Sequence, residues 1–128
     1  MKLSSVKPNA FYDLKAGKPK QIEYDNDGSF LFRFNISKHI GIPEGEEVEK
    51  QIGWKCCEVR VWGKASVSSI KQKVVDLGYS STERAKLEED YNKHTLGVKV
   101  NENAVKEYIE YLNFTEEVES VIVKSLAQ

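Results

Sequence analysis

The first clear pattern along the chain is an alternation of apolar and polar residues in two successive runs. Ile22 and Tyr24 mark the first run. The second run contains Phe30, Phe32, Phe34 and Ile36. An apolar period of two residues predicts β-strands with one apolar face each, so residues 21–36 are predicted to form a β-hairpin.

The segment Asn26-Asp27-Gly28 between the two runs decides how the strands pair. A two-residue turn pairs Tyr24 with Leu31, whereas a three-residue loop pairs Tyr24 with Phe30. A shift of one residue moves every side chain to the other face, and the three-residue loop places both apolar sets on one face. We therefore predict Tyr24 opposite Phe30, with Gly28 in the left-handed conformation of a bulged turn.

Residues 54–62 form the second strong strand pattern. Cys57, Val59 and Val61 are predicted on one face of this strand. The other face carries Trp54, Cys56, Glu58, Arg60 and Trp62. The preceding segment 40–53 is rich in glycine and contains four glutamates, at 44, 46, 47 and 49, so it is predicted to be a solvated loop.

After Gly63 the apolar spacing becomes helical. Ser66 is the predicted N-cap of a first helix that ends near Gly78. Ser80 and Glu83 have the spacing of a capping box for a second helix over residues 81–93. Residues 98–100 are predicted as a short strand or a linker.

Asn101 is the predicted cap of a last helix that runs towards the C-terminus. Its apolar stripe rotates near Asn113, which indicates either a break or a long helix buried on two sides. Strands followed by helices predict an α+β fold. We expect a small antiparallel sheet, made of the N-terminal hairpin and strand 54–62, packed against two or three C-terminal helices.

The length of 128 residues fits a single domain over residues 1–128. Residues 1–20 are polar and interrupted by Pro8, Gly17 and Pro19, which predicts an irregular arm or lead-in. Hydrophobic residues make up 40% and charged residues 30%, the composition of a folded domain in water. No segment approaches the roughly 20 apolar residues that span a bilayer, so we expect a cytoplasmic protein without membrane contact.

No residue pattern indicates catalysis or cofactor binding. A disulfide between the adjacent Cys56 and Cys57 would be strained, so both are predicted as reduced, half-buried thiols. His39 and His94 lack metal-ligand partners at helical spacing. We predict no catalytic residue, no cofactor and no metal site, zinc included; a scattered site such as Cys57 with His94 is the enzymatic alternative.

The face with Trp54, Arg60 and Trp62 is the candidate interface, because tryptophan and arginine are common anchors of protein contacts. The alternative is that a helix of the same chain covers it. Two exposed indoles would leave a large apolar patch in water, so they are expected under a helix or against another chain. A protein partner or self-association is therefore predicted.

Nucleic-acid binding is the second functional hypothesis. The formal net charge is −1, which excludes a basic footprint over the whole domain. A local basic patch would need lysines 15, 18, 20, 71 and 73 to converge. The helix pair around Gly78 imitates a helix-turn-helix, but the balanced charges of its second helix are wrong for contact with phosphates.

A series of residues between positions 53 and 114 carries a resemblance to a group of proteins. The series is Glu58-Val59-Arg60-Val61, Gly63, Ile70, Tyr79-Ser80 with Glu83, and Tyr91-Asn92. It resembles small prophage proteins of gut Bacteroidales that are encoded near tail or other late structural genes. The resemblance supplies no catalytic residues. It implies a bacterial virus or prophage and a virion or assembly role, in the cytoplasm of a bacterial host or in the virion.

Overall fold

A computed structural model describes all 128 residues, Met1–Gln128. The chain divides into two compact units, which are described separately. The sheet unit consists of Val6–Ala65, and the helical unit consists of Met1–Ser5 with Ser66–Gln128. A four-stranded antiparallel sheet followed by three helices confirms the α+β prediction. The single-domain assignment stays a prediction.

The sheet has the strand order β1-β4-β3-β2, with every neighbouring pair antiparallel. Its strands are β1 (Ala10–Asp13), β2 (Ile22–Tyr24), β3 (Ser29–Gly41) and β4 (Lys50–Trp62). Short 3-10 helices lie at Leu3–Ser5 and Leu14–Ala16. The long strands β3 and β4 therefore form the centre, and the two short strands form the edges.

The predicted hairpin register is confirmed. Tyr24 lies opposite Phe30 and Ile22 opposite Phe32. Gly28 has a φ of 85°, the left-handed conformation that a three-residue loop requires. The alternation of apolar residues was therefore sufficient to choose between the two turn lengths.

The predicted loop at residues 40–53 is wrong at both ends. β3 continues to Gly41 and β4 begins at Lys50, so the connecting loop is confined to residues 42–49. Two bulges adjust the pairing, one between Phe34 and Ser37 and one next to His39. The backbone ladder continues here where the regular apolar alternation has stopped, which is why the sequence pattern did not reveal this part of the strands.

β1 is a strand that the sequence pattern did not predict, because it lies within the polar residues 1–20. It pairs with the middle of β4, with Tyr12 opposite Trp54 and Asp13 opposite Gly53. A Cβ atom at position 53 would collide with the carbonyl oxygen of Tyr12. Glycine at this position therefore permits β1 to approach β4 closely.

One face of the sheet is apolar and buried. This phenylalanine face consists of Phe30, Phe32, Phe34, Cys57, Val59 and Val61. Cross-strand pairs align its members, with Phe32 between Ile22 and Val59. Burial of these large side chains gives the sheet unit its main hydrophobic stabilisation.

The helical unit contains α1 (Val67–Gly78), α2 (Ser81–Thr95) and α3 (Glu102–Leu126). The predicted caps at Ser66 and Ser80 are confirmed, since each forms a capping box at the start of α1 and α2. Asn101 lies at the predicted N-cap position of α3, but its side chain makes no capping hydrogen bond. α3 is unbroken, which decides between the two alternatives left by its rotated stripe. Its buried side chains include Phe114, Val118 and Ile122. Residues 98–100 are a linker.

α2 contacts α3 through an aromatic pair. It has no buried side chain, but the ring of Tyr91 stacks on Tyr108 of α3 at 4.7 Å between centroids. Tyr79, which follows α1, makes edge contacts with the rings of Tyr111 and Phe114. These rings join all three helices along one side of α3.

Candidate interaction surface

The face of the sheet opposite the phenylalanine face is polar and aromatic. This arginine face contains Arg33 on β3 and Trp54, Glu58, Arg60 and Trp62 on β4. Arg33 lies directly opposite Glu58, and β4 alternates regularly from Trp54 to Trp62. The three residues predicted as an interface, Trp54, Arg60 and Trp62, therefore share one face of one strand.

The centre of the arginine face is a buried arginine. The side chain of Arg33 is 2% exposed. Its Nε donates to Glu58 at 2.7 Å, and its Nη1 donates to Glu23 at 2.8 Å and to the carbonyl oxygen of Lys20 at 3.0 Å. Its Nη2 donates to the hydroxyl of Tyr12 at 2.9 Å. One guanidinium thus joins all four strands.

Tyr12 completes this network. Its hydroxyl donates a short hydrogen bond to Glu58, and its ring centre lies 4.9 Å from the guanidinium carbon of Arg33. Burial and then the bond to Glu58 raise the pKa of Tyr12. Burial lowers the pKa of Arg33, but the hydrogen bonds to Glu58, Glu23 and Tyr12 outweigh it, so the net shift is upward and the charge is retained.

Sequence reasoning missed this network. Its signal is a single charged residue, Arg33, on the outward positions of a phenylalanine-rich strand. Recognising its partners requires the register between β3 and β4, which places Glu58 opposite, and the position of β1, which supplies Tyr12. Four of the five N–H donors of the guanidinium bind groups of the same unit. Arg33 therefore links the strands of the sheet to one another.

Trp54 lies at one end of the arginine face and is half-buried. Tyr12 and Lys38 are its cross-strand neighbours, and Nζ of Lys18 lies 5.8 Å from the centre of its ring. The aliphatic stem and ammonium of a lysine can cover an indole in this way. Trp54 is therefore partly sheltered by its own unit.

Trp62 lies at the other end of the same face and is 61% exposed. It lies eight positions along β4 from Trp54, which corresponds to about 26 Å along a strand. The two indoles therefore do not form one continuous patch. Arg60, between Glu58 and Trp62, donates through Nη1 to Asp25 at 2.6 Å and to Oγ of Ser29 at 2.6 Å.

The outer edge of β4 changes character along its length. β1 pairs with residues 53–56, and the side chain of Asn9 then binds both backbone groups of Glu58. Neither β1 nor Asn9 reaches Arg60 and Trp62. The exposed indole thus stands beside a stretch of strand edge without a neighbouring strand, a geometry that favours pairing with another chain.

Cys56 and Cys57 point to opposite faces and are both fully buried. Burial raises the pKa of Cys56 to about 11 and also raises the pKa of Cys57. The thiol of Cys57 donates to the carbonyl oxygens of Val6 and Lys7, each at 3.4 Å. These surroundings disfavour the reactive thiolate of both residues.

We expect neither cysteine to react with a thiol reagent at neutral pH while the sheet is folded, because the thiols are buried and their pKa values are raised. The measurement is the labelling rate of the native and the denatured chain, followed by mass spectrometry. Labelling should become rapid only on unfolding. Native labelling at the rate of a free thiol would contradict the burial of these residues.

The other candidate residues have local partners. Nδ1 of His94 accepts a hydrogen bond from the backbone N–H of Asn101 at 2.8 Å, and His39 packs against the ring of Phe11 at 4.9 Å. No cluster of three or more histidines, cysteines or acidic residues could hold a metal ion. No helix has both the length and the apolar character needed to cross a membrane.

The basic residues of α2 are engaged in ion pairs. Lys93 pairs with Glu89 at 2.9 Å, and Arg84 pairs with Asp76 at 2.7 Å. The lysines that a basic patch would need are divided between the units, with 15, 18 and 20 in the sheet unit and 71 and 73 in the helical unit. Lys18, one of the lysines in the sheet unit, lies over the ring of Trp54.

No protein-family model matches this chain, and no curated protein or solved structure is significantly similar to it.

Proposed function

We propose that this protein works through protein–protein contacts, without catalysing a reaction, and that the contact is centred on Trp62 and Arg60. The supporting observation is the 61% exposure of Trp62 beside the open stretch of the β4 edge. Tryptophan and arginine are the residue types that most often dominate the energy of protein contacts. An open strand edge adds directional hydrogen bonds to that apolar anchor.

Arg60 adds orientation to this surface. Its guanidinium is held by Asp25 and Ser29, so its position is fixed before a partner binds. A fixed side chain loses less conformational entropy on binding than a mobile one. Trp54, the third predicted interface residue, lies about 26 Å from Trp62, outside the short stretch on which this contact is centred.

The setting that we propose follows from the resemblance of residues 53–114 to small prophage proteins. In that setting the protein is a structural or assembly component of a bacterial virus, tail-associated and present in the host cytoplasm or the virion. A contact-forming sheet without catalytic groups suits such a role.

Replacing Trp62 with alanine should weaken association with the partner by more than about 2 kcal/mol, because it removes the exposed anchor of the contact. The measurement compares capture of host and phage proteins by immobilised wild-type chain and by the variant. Tyr24→Ala is the matched control, since Tyr24 is a 68% exposed aromatic on the opposite edge strand.

Thermal melting of the same variants shows whether the sheet remains folded. A Trp62→Ala chain that melts like the wild type and captures the same proteins equally well would refute the proposed contact. Equal losses for Trp62→Ala and Tyr24→Ala would also refute it, because the effect would not be specific to β4.

Single-stranded nucleic acid is a second candidate partner, favoured by the position of Lys18 over the ring of Trp54 with Lys38 beside it. A base stacking on Trp54 would place a phosphate near these lysines. In a Trp62→Phe chain, an oligonucleotide should then quench the fluorescence of Trp54, and Lys18→Ala should weaken the quenching. An unchanged emission would exclude this candidate.

A further inference from the structure

We infer that the open edge of β4 at Arg60–Trp62 pairs antiparallel with the same edge of a second copy of this chain. This inference rests on the proposed function and names the partner. Three observations support this pairing: the direction of the backbone N–H and C=O groups along β4, the residues at which the open edge begins and ends, and the side chains of Arg60 and Trp62.

The direction of the backbone groups is fixed at two points. The N–H and C=O of Glu58 point away from β3, because both are bound by the side chain of Asn9 at 2.8 and 3.0 Å. The N–H of Gly63 points towards β3 and donates to the carbonyl oxygen of Gly28 at 2.9 Å. Since these directions alternate along a strand, the groups of Arg60 and Trp62 point outward like those of Glu58.

The outward groups of Arg60 and Trp62 have no hydrogen-bond partner in the chain. They are two N–H donors and two C=O acceptors in line with β1, at the place where a further strand would continue the sheet. An extended backbone is the chemical group that satisfies all four at once.

Two features limit the open stretch to Arg60, Val61 and Trp62. The side chain of Asn9 occupies the edge at Glu58. On the other side, Gly63 has a φ of 89°, which turns the chain out of the extended conformation directly after Trp62. A second copy carries the same turn, so its chain leaves the sheet before it would meet Asn9.

These limits select one register for two identical edges. With a two-fold axis at Val61, Arg60 of one copy faces Trp62 of the other, and the reverse pair forms by symmetry. Both pairs use the outward groups, so four backbone hydrogen bonds form between the copies. The interface is isologous, which is the commonest arrangement in homodimers.

The side chains complement each other in this register. Arg60 and Trp62 lie on the same face of β4, so the aliphatic stem of each Arg60 comes beside an indole of the other copy, while its guanidinium extends towards β3 and the end of β2. The methylene stem of an arginine can pack against an indole. The guanidinium of Arg60 is already held by Asp25 at 2.6 Å, and the indole of Trp62 is exposed.

Because the open stretch is short, the dimer belongs to the class of small, weak interfaces below about 1,200 Å². Its test is sedimentation equilibrium of the full chain over concentrations from about 10 μM to about 1 mM, the range in which such contacts dissociate. Trp62→Pro removes the outward N–H and the indole but leaves the ladder with β3 intact, since that ladder uses Val61 and Gly63. We expect at least a tenfold larger dissociation constant for this variant.

Two variants make the result specific. Trp62→Ala keeps the N–H and removes the indole, so it should fall between the wild type and Trp62→Pro. Tyr24→Ala, on the other edge strand, should associate like the wild type. Thermal melting of each variant confirms that the compared chains are folded.

A second measurement follows the fluorescence emission of Trp62 at the open edge of β4. Trp54→Phe leaves Trp62 as the single tryptophan, and its emission should shift to shorter wavelength as the concentration rises, because pairing removes the indole from water. The same chain with Arg60→Ala should show a smaller shift at equal concentration, since it lacks the aliphatic stem that packs beside the ring.

A wild-type chain that stays monomeric at about 1 mM would overturn the inference, as would a Trp62→Pro chain that dimerises like the wild type. The proposed function is separable from this outcome. If the chain is monomeric but captures another protein in a Trp62-dependent manner, the contact stands and the partner is not a second copy. If the chain neither dimerises nor captures a protein in a Trp62-dependent manner, both the dimer and the proposed function are refuted.

Discussion

Replacing Phe32 with alanine is expected to lower the free energy of unfolding of the sheet unit by about 3–5 kcal/mol. Phe32 is 1% exposed and lies at the centre of the phenylalanine face, opposite Ile22 on one side and Val59 on the other. Its ring also stacks on Phe34 at 6.2 Å. Truncation removes apolar burial and leaves a cavity that two neighbouring strands cannot close.

Leu31→Ala is the matched control for Phe32→Ala, because Leu31 directly precedes Phe32 on β3 and is half-buried on the arginine face. Chemical denaturation followed by tryptophan fluorescence measures the loss, since both tryptophans of the chain belong to β4 and report on the sheet. A loss for Phe32→Ala no larger than that for Leu31→Ala would show that the phenylalanine face is not the core of this unit.

Replacing Glu58 with alanine is the second large effect, with an expected loss of about 3 kcal/mol. The substitution takes one carboxylate away from a guanidinium that is 2% exposed, and it also leaves the hydroxyl of Tyr12 without its acceptor. A buried charge that loses its partner is costly because water cannot replace the lost hydrogen bonds. Glu23 still pairs with Arg33 in this variant, so the loss of stability is expected at the lower end of the range for broken buried ion pairs.

Glu23→Ala is the control for this prediction. The side chain of Glu23 is 51% exposed and that of Glu58 is 21% exposed, so water can replace Glu23 and its removal should cost less than about 1 kcal/mol. A double variant, Arg33→Met with Glu58→Leu, should be more stable than Glu58→Ala alone, because it removes the buried charge together with its partner. Equal losses for Glu58→Ala and Glu23→Ala would contradict the bracing role of Arg33.

The arginine face therefore combines a braced centre with an open end. Arg33 of β3 is satisfied by groups from the other three strands and by the carbonyl oxygen of Lys20, which holds the strands in place and leaves little free hydrogen-bonding capacity. Four residues beyond Glu58 along β4, Trp62 is exposed beside backbone groups without partners. A rigid sheet that ends in an open edge can present that edge to a partner at little entropic cost.

The sequence by itself determined those parts of the fold that depend on interactions between residues close together in the chain. The three-residue turn with Gly28, the register of Tyr24 opposite Phe30 and the capping boxes at Ser66 and Ser80 each depend on residues close together in the chain. Apolar periods of two and of about four residues also distinguished the strands from the helices. These features gave the α+β class and the face shared by Trp54, Arg60 and Trp62.

Tertiary structure alone decided the features that depend on distant pairing. β1 lies in a polar segment and becomes a strand because β4 offers it an edge, with Gly53 leaving room for Tyr12. Pairing between β3 and β4 brings Glu58 to Arg33, and pairing between β1 and β4 brings Tyr12 there. The open end of β4 likewise follows from where β1 and Asn9 stop, which is a property of the assembled sheet and of no single stretch of residues.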